Sequence, residues 1–220
     1  MAGVKVVTAE TVDLISINDI KVALRIATND DTHNTLLTAC KDASISVAKE
    51  YLQKSLLKQT LKLALDTIPY ADSSLPNKEG ITVGPYLQFT KRSITLPFSP
   101  IIAVVHIKTF SDSDVATTMN ASRYFVDTIS EYGRVVLRTG ETWDTMLRVA
   151  NAIEVTYEAG YGTSSSTVPP AIRQGAILMA SHYFENPDMV IKGESISSIP
   201  SLVNSLWKPF KAMRFGVGLG

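Results

Sequence analysis

Only one cysteine, Cys40, stands among the 220 residues of this chain. An intramolecular disulfide and a metal site built from several thiolates are both excluded, and synthesis in a reducing cytoplasm fits. Histidine is nearly as scarce: His33, His106 and His182 are the full set, and none pairs with another in an H-x-x-x-H or H-E-x-x-H spacing that would aim two ligands from one helix face. No surplus of charge exists either, since Lys+Arg and Asp+Glu both number 21. The electrostatic drive for non-specific binding to nucleic acid or anionic lipid is therefore missing from the chain as a whole. No apolar run is long enough to span a membrane, and the opening "MAGVKVVTAETVDLISIND" matches neither a signal peptide nor a spanning helix. No membrane partner is expected.

The residues that are present form a sequence of helices, strands and helices. "SINDIKVALRI" starts with Ser16 as an N-cap, places Asp19 three residues on, and spaces Ile17, Ile20, Val22, Leu24 and Ile26 for a short amphipathic helix. The spacing of Leu36, Leu37, Cys40, Ala43, Val47, Tyr51 and Leu52 predicts a longer helix, with Asp30 and Asp31 at its start as cap residues. The period then drops to two. In "QTLKLALDTI", Leu61, Leu63 and Leu65 share one face and Lys62, Ala64 and Asp66 the other, as in a half-buried strand. "ITV", "YLQFT", "SITLPF", "IIAVVHIKTF", "SRYFVDT", "GRVVLRTG" and "NAIEVTYEAG" follow, divided by turn-forming residues, with Gly133 marking a hairpin turn and Asp112 and Asp114 another turn. The polar, breaker-rich stretch 70–80 reads as a surface loop. Helical spacing returns after 168 with Ile172, Ala176, Ile177, Met179, Ala180 and Tyr183, stopping at Asn186 and Pro187; a last apolar set runs from Leu202 to Met213 with a kink at Pro209.

This order predicts an α+β fold in which N- and C-terminal helices form a helical bundle around an inserted antiparallel β-region. The expected boundaries are helices over 1–58, β-structure over 59–160, helices over 161–215 packing with the first set, and a flexible tail over 216–220.

The stretch "EAGYGTSSSTVPPAIRQG" poses a choice between a phosphate cradle and a hinge. It has no Gly-Lys-Ser/Thr ending and no G-x-G-x-x-G, and the strand before it does not open a βαβ unit. A structural hinge accounts for every residue: Gly160 and Gly162 permit the turn, Thr167 caps the next helix, and Pro169 or Pro170 fits its first turn. No catalytic residue, cofactor or metal ligand is assigned. His182 and Glu185, three apart, read as an ordinary helix-surface pair. A small enzyme with a site assembled from His182, Glu185 and Asp127 is the alternative from another functional class. The terminal "LWKPFKAMRF" interleaves Trp207, Phe210, Met213 and Phe215 with Lys208, Lys211 and Arg214. Its apolar stripe favours burial against the fold or a partner protein over lipid or DNA.

In succession, "SINDIKVALRI", the helix of "DDTHNTLLTACKDASISVAKEYLQKSLLKQTLKLALD", the Leu-Pro-x-x-Pro of "ITLPFSPIIAVVHIKTF", the hairpin of "RYFVDTISEYGRVVL", and "IEVTYEAGYGTSSSTVPPAIRQGAILMASHYFEN" cover most of the chain. That succession resembles the head-tail connector, or adaptor, proteins of tailed bacteriophages and gene transfer agents. The long segment "PYADSSLPNKEGITVGPYLQF" and the extension after 188 depart from the family's pattern. The resemblance implies a non-enzymatic virion protein of the neck, made in the host bacterial cytoplasm. It would form a homo-oligomeric ring, typically a dodecamer, beneath the portal protein, joining it to a downstream stopper or tail-completion protein. Genomic DNA would pass through the lumen with only transient, non-specific contact. Another neck or tail structural protein is the nearest alternative. Within this reading Trp207, Lys208, Phe210, Lys211, Met213, Arg214 and Phe215 are the expected portal-binding residues.

Overall fold

A computed structural model describes residues 2–67, 92–144, 147–186 and 199–212. Helix α1, Ile17–Ala23, begins with a reciprocal cap: the Asp19 amide donates to Ser16 Oγ at 3.1 Å while the Ser16 amide donates to Asp19 Oδ2 at 2.8 Å. Its buried side is not the apolar set alone. Ile20 is fully buried, but so is Lys21, whose ammonium donates to the Thr28 carbonyl and to Asp31 Oδ1, both at 3.2 Å, whereas Val22 faces solvent. A lysine stem can line a core when its head finds acceptors, and that pairing turns the helix away from the expected stripe. The long helix α2, Asn34–Leu52, buries Leu37, Cys40, Lys41, Ser44, Ala48 and Leu52; Leu36 and Ala43 lie outside that line. Its cap position is His33, with no side-chain cap bond. Asp30 and Asp31 instead shape the turn before it, accepting from the Thr32 amide and from Asn34 Nδ2.

Helix α3, Pro170–Glu185, opens on a proline and ends at Asn186, and α4 spans Ser201–Trp207, followed by a 3-10 turn at Lys208–Phe210 where Pro209 forbids continuation. One apolar cluster gathers Leu14, Ile15, Ile20, Leu37, Leu52, Leu56, Ile172, Ala176, Met179, Val203 and Trp207, so residues of all four helices share it. Each fully buried Leu or Ile there contributes about 1.5–3 kcal/mol of transfer free energy.

A second cluster belongs to the strands. They are β1 Ala2–Thr8, β2 Gln59–Leu65, β3 Ser93–Thr95, β4 Ile101–Phe110, β5 Ala116–Thr118, β6 Tyr124–Asp127, β7 Arg134–Leu137 and β8 Ile153–Ala159. A five-stranded sheet in the order β1-β2-β8-β4-β5 and a three-stranded one in the order β3-β7-β6 are antiparallel throughout. The expected alternation in β2 is present: Leu61 and Leu63 are buried, beside Tyr157 and Val155 of β8. Tyr157 is fully buried and its hydroxyl donates to the Pro97 carbonyl at 2.9 Å; burial pushes its phenol well above the usual range. The fold is thus mixed α+β.

The chain divides into two units, one from the described residues of Met1–Ala9 and Gln59–Gly160, the other from those of Glu10–Lys58 and Tyr161–Met213. One local expectation is corrected. Residues 2–8, placed with the N-terminal helices, form a strand of the β-unit because Val4 and Val6 register against Leu63 and Leu61. Gly133 lies in the β6–β7 hairpin connection as expected, and close approach adds to its role: a Cβ there would overlap Ile101 Cγ1 and lie 2.7 Å from Ile101 Cβ. The expected strands at 81–83 and 86–90 and the loop at 70–80 lie outside the described residues.

Candidate interaction surfaces

The C-terminal segment separates into a buried and an exposed part. Val203 and Trp207, four apart on α4, point into the helical core, and Trp207 is 0% exposed. Its indole N–H donates to the Ile172 carbonyl at 3.2 Å, its ring lies 5.9 Å from that of Tyr51, and a Cβ at Gly175 would overlap its Nε1. The tryptophan expected to meet a partner is therefore taken up by the chain's own core. Phe210 is half-buried against the same cluster. Lys208 and Lys211 are exposed, with Lys211 Nζ 4.6 Å from the centroid of the Tyr51 ring, a cation–π contact. The Ala212 amide donates to the Leu52 carbonyl at 3.1 Å, which ties this end to the last turn of α2. Met213, Arg214 and Phe215 lie outside the described residues.

At the joint between β8 and α3, Gly160 and Gly162 have φ of 128° and 153°, values a side chain rarely adopts. Any Cβ on Gly162 would sit 2.7 Å from Thr167 Oγ1. Several backbone donors of the stretch are already engaged: Gly160 donates to Pro100, Tyr161 to Leu56, Thr167 to Ser164 and Val168 to Ser165. Thr167 does not cap α3; its hydroxyl donates to the Ser164 carbonyl at 2.6 Å and closes a 3-10 turn, Ser165–Thr167. Pro169 occupies the cap position and Pro170 the first helical one, where a missing N–H costs nothing.

The scattered chemical groups each have local partners. Asp127 accepts from the Ile129 and Ser130 amides, the Ser130 hydroxyl and Arg134 Nε. Led by the Ser130 hydroxyl, these bonds hold its carboxyl down to about 2. His182 Nδ1 lies 3.3 Å from Asn186 Nδ2. His33 packs edge-on against Phe184. Burial pushes the Cys40 thiol upward. Among the described residues no three His, Cys, Asp or Glu side chains converge on a metal position, and no helix is long and apolar enough to cross a membrane.

No protein-family profile and no curated protein matches the sequence. Solved structures do. Over 98% of both chains, at 18% identity and a TM-score of 0.73, it superposes on a chain of the "Neck of empty GTA particle computed with C6 symmetry". A chain from the "Virion of native gene transfer agent (GTA) particle" matches at 19% identity and a TM-score of 0.71. One from the "Neck of native GTA particle computed with C12 symmetry" matches at 20% and 0.65, both over 98% of each chain. The chain has the fold of these gene transfer agent chains.

The sequence pattern left several exposed apolar positions unremarked. Ile129, at the tip of the β6–β7 hairpin, is 96% exposed, while Asp127 fixes the loop beneath it. Val4, Val6 and Val7 on β1 and Ile102 and Val105 on β4 are also exposed. The alternation of "VKVV" carried the signal for β1. Nothing in sequence marks which strand of a sheet lies at its edge.

Proposed function

We propose that this chain is a structural protein of a particle neck, an adaptor that assembles into a ring, joins the portal to the next neck or tail component, and lets DNA through its lumen. The observation that carries this reading is the full-length likeness to chains of gene transfer agent necks, one resolved with C6 and another with C12 symmetry. The order of motifs in the sequence points independently the same way. A structural rather than a catalytic role follows, located in the virion after synthesis in the host cytoplasm. Equal numbers of acidic and basic residues suit a DNA conduit, because tight cationic contacts to phosphate would oppose transit. Bundled packing of the N- and C-terminal helices would give such a ring its rigid part.

The portal contact is assigned to the exposed Lys208 and Lys211 together with Met213, Arg214 and Phe215, which follow them in sequence, while Trp207 and Phe210 anchor the segment's root. The test is microscopy of intact particles combined with negative stain of the purified protein mixed with portal. Rings at the portal are expected. A chain absent from particles, or one found only further down the tail, overturns the adaptor assignment.

A further inference from the structure

Among the described residues the five-stranded sheet has two open edges. On one side β1 pairs with β2 alone, and no strand among the described residues meets its outer side. Val4 and Val6 extend the row of Leu63 and Leu61 one strand beyond the core, and Val6 is 48% exposed. On the other side β4 outruns its neighbour. β5 pairs only with Lys108, Thr109 and Phe110, and the Met119 amide donates to the Ile107 carbonyl at 2.8 Å. Among the described residues no strand pairs with 101–106 on that side. Two register shifts against β8 fall there, between Ile101 and Ala103 and between Val104 and His106, and Val105 is 54% exposed.

An unpaired edge presents a row of backbone donors and acceptors that template another strand. Proteins blunt such edges with lysine and bulges, and Lys5 on β1 and the shifts in β4 restrict indiscriminate pairing. They do not remove the exposed β-branched side chains, which would gain cross-strand contacts once covered. β5 is a poorer mate for β1, having three residues, all exposed.

We propose that β1 of one copy adds to residues 101–106 of β4 in the next copy, so that the sheet continues from copy to copy. This rests on the ring reading above. The occupant is a second copy because the two edges lie at opposite ends of one sheet. Whatever edge one copy offers, the next supplies its mate, a head-to-tail contact of the kind that closes into a ring.

The test uses full-length protein assembled with portal, in a Cys40→Ala background. Val6→Cys is combined with Val105→Cys, and in parallel sets Val4→Cys and Ile102→Cys cover neighbouring registers, since disulfides need Cα atoms within about 7 Å. Oxidation is expected to give a ladder of covalent multimers from at least one double variant and none from single variants. A second arm replaces Val6 or Val105 by Lys; the fraction of protein in rings should fall at least about tenfold while far-ultraviolet circular dichroism stays unchanged, as expected at exposed positions. Rings in negative stain without any ladder overturn the strand addition and leave the ring reading standing. Absence of rings from protein and particles alike overturns both.

Discussion

Single residues carry the sharpest consequences. Trp207 fills the helical core and satisfies its own N–H at Ile172. Trp207→Ala should cost about 3–5 kcal/mol, read as a fall in the denaturation midpoint, and Gly175→Val should do comparable damage because the added side chain overlaps the indole. Asp127 gives a pH signature. Its carboxyl is held down to about 2 from 3.8, so the bonded turn stabilises the fold fully above about pH 4 and loses that contribution as pH falls through 2. Carboxyl-resolved NMR should place its midpoint near 2, and Ser130→Ala should raise it; a midpoint at the ordinary value would contradict the turn geometry. For Gly160 and Gly162, replacement by Val should impair folding or assembly. The unaltered protein should show no nucleotide affinity, and binding in a titration would restore the phosphate reading.

At the scale of elements, the cap of α1 was the most legible feature, whereas Asp30, Asp31 and Thr167, expected as caps, serve the preceding turns. Ser16 and Asp19 were readable as a helix start because a capping box is local chemistry, confined to four consecutive residues. Ser16→Ala should lower stability by about 1 kcal/mol. The buried faces of α1 and α2 were less legible, since Lys21 and Lys41 enter the core through acceptors supplied by distant chain, Asp31 for one and Asp13 for the other. The C-terminal segment shows where a composition pattern misleads. Aromatics alternating with cations look like one partner-binding strip, yet helical spacing turns Trp207 inward and Lys208 outward. A cut before Trp207 would therefore remove core as well as contact. Truncation after Ala212 is the cleaner experiment: thermal stability should change little while portal capture is lost, and unchanged capture would sink the assignment of the terminal residues.

For the whole molecule, charge balance makes a prediction of its own. With no net charge, the free protein should give no shift of duplex DNA at physiological salt even at micromolar concentration; a robust shift would argue against a passive conduit. Two apolar clusters, one among helices and one among strands, correspond to the change of period that sequence displays at residue 59. That change is local, being the geometry of 3.6 against 2 residues per repeat, and so α+β class, most element positions and the joint at Gly160 were determined by sequence alone. Tertiary structure decided the rest. It recruited residues 2–8 into the sheet, since strand pairing is set by the partner's register. Among the described residues it also left β1 and the first half of β4 without an outer partner strand, because sheet order is a property of long-range pairing that no single segment encodes.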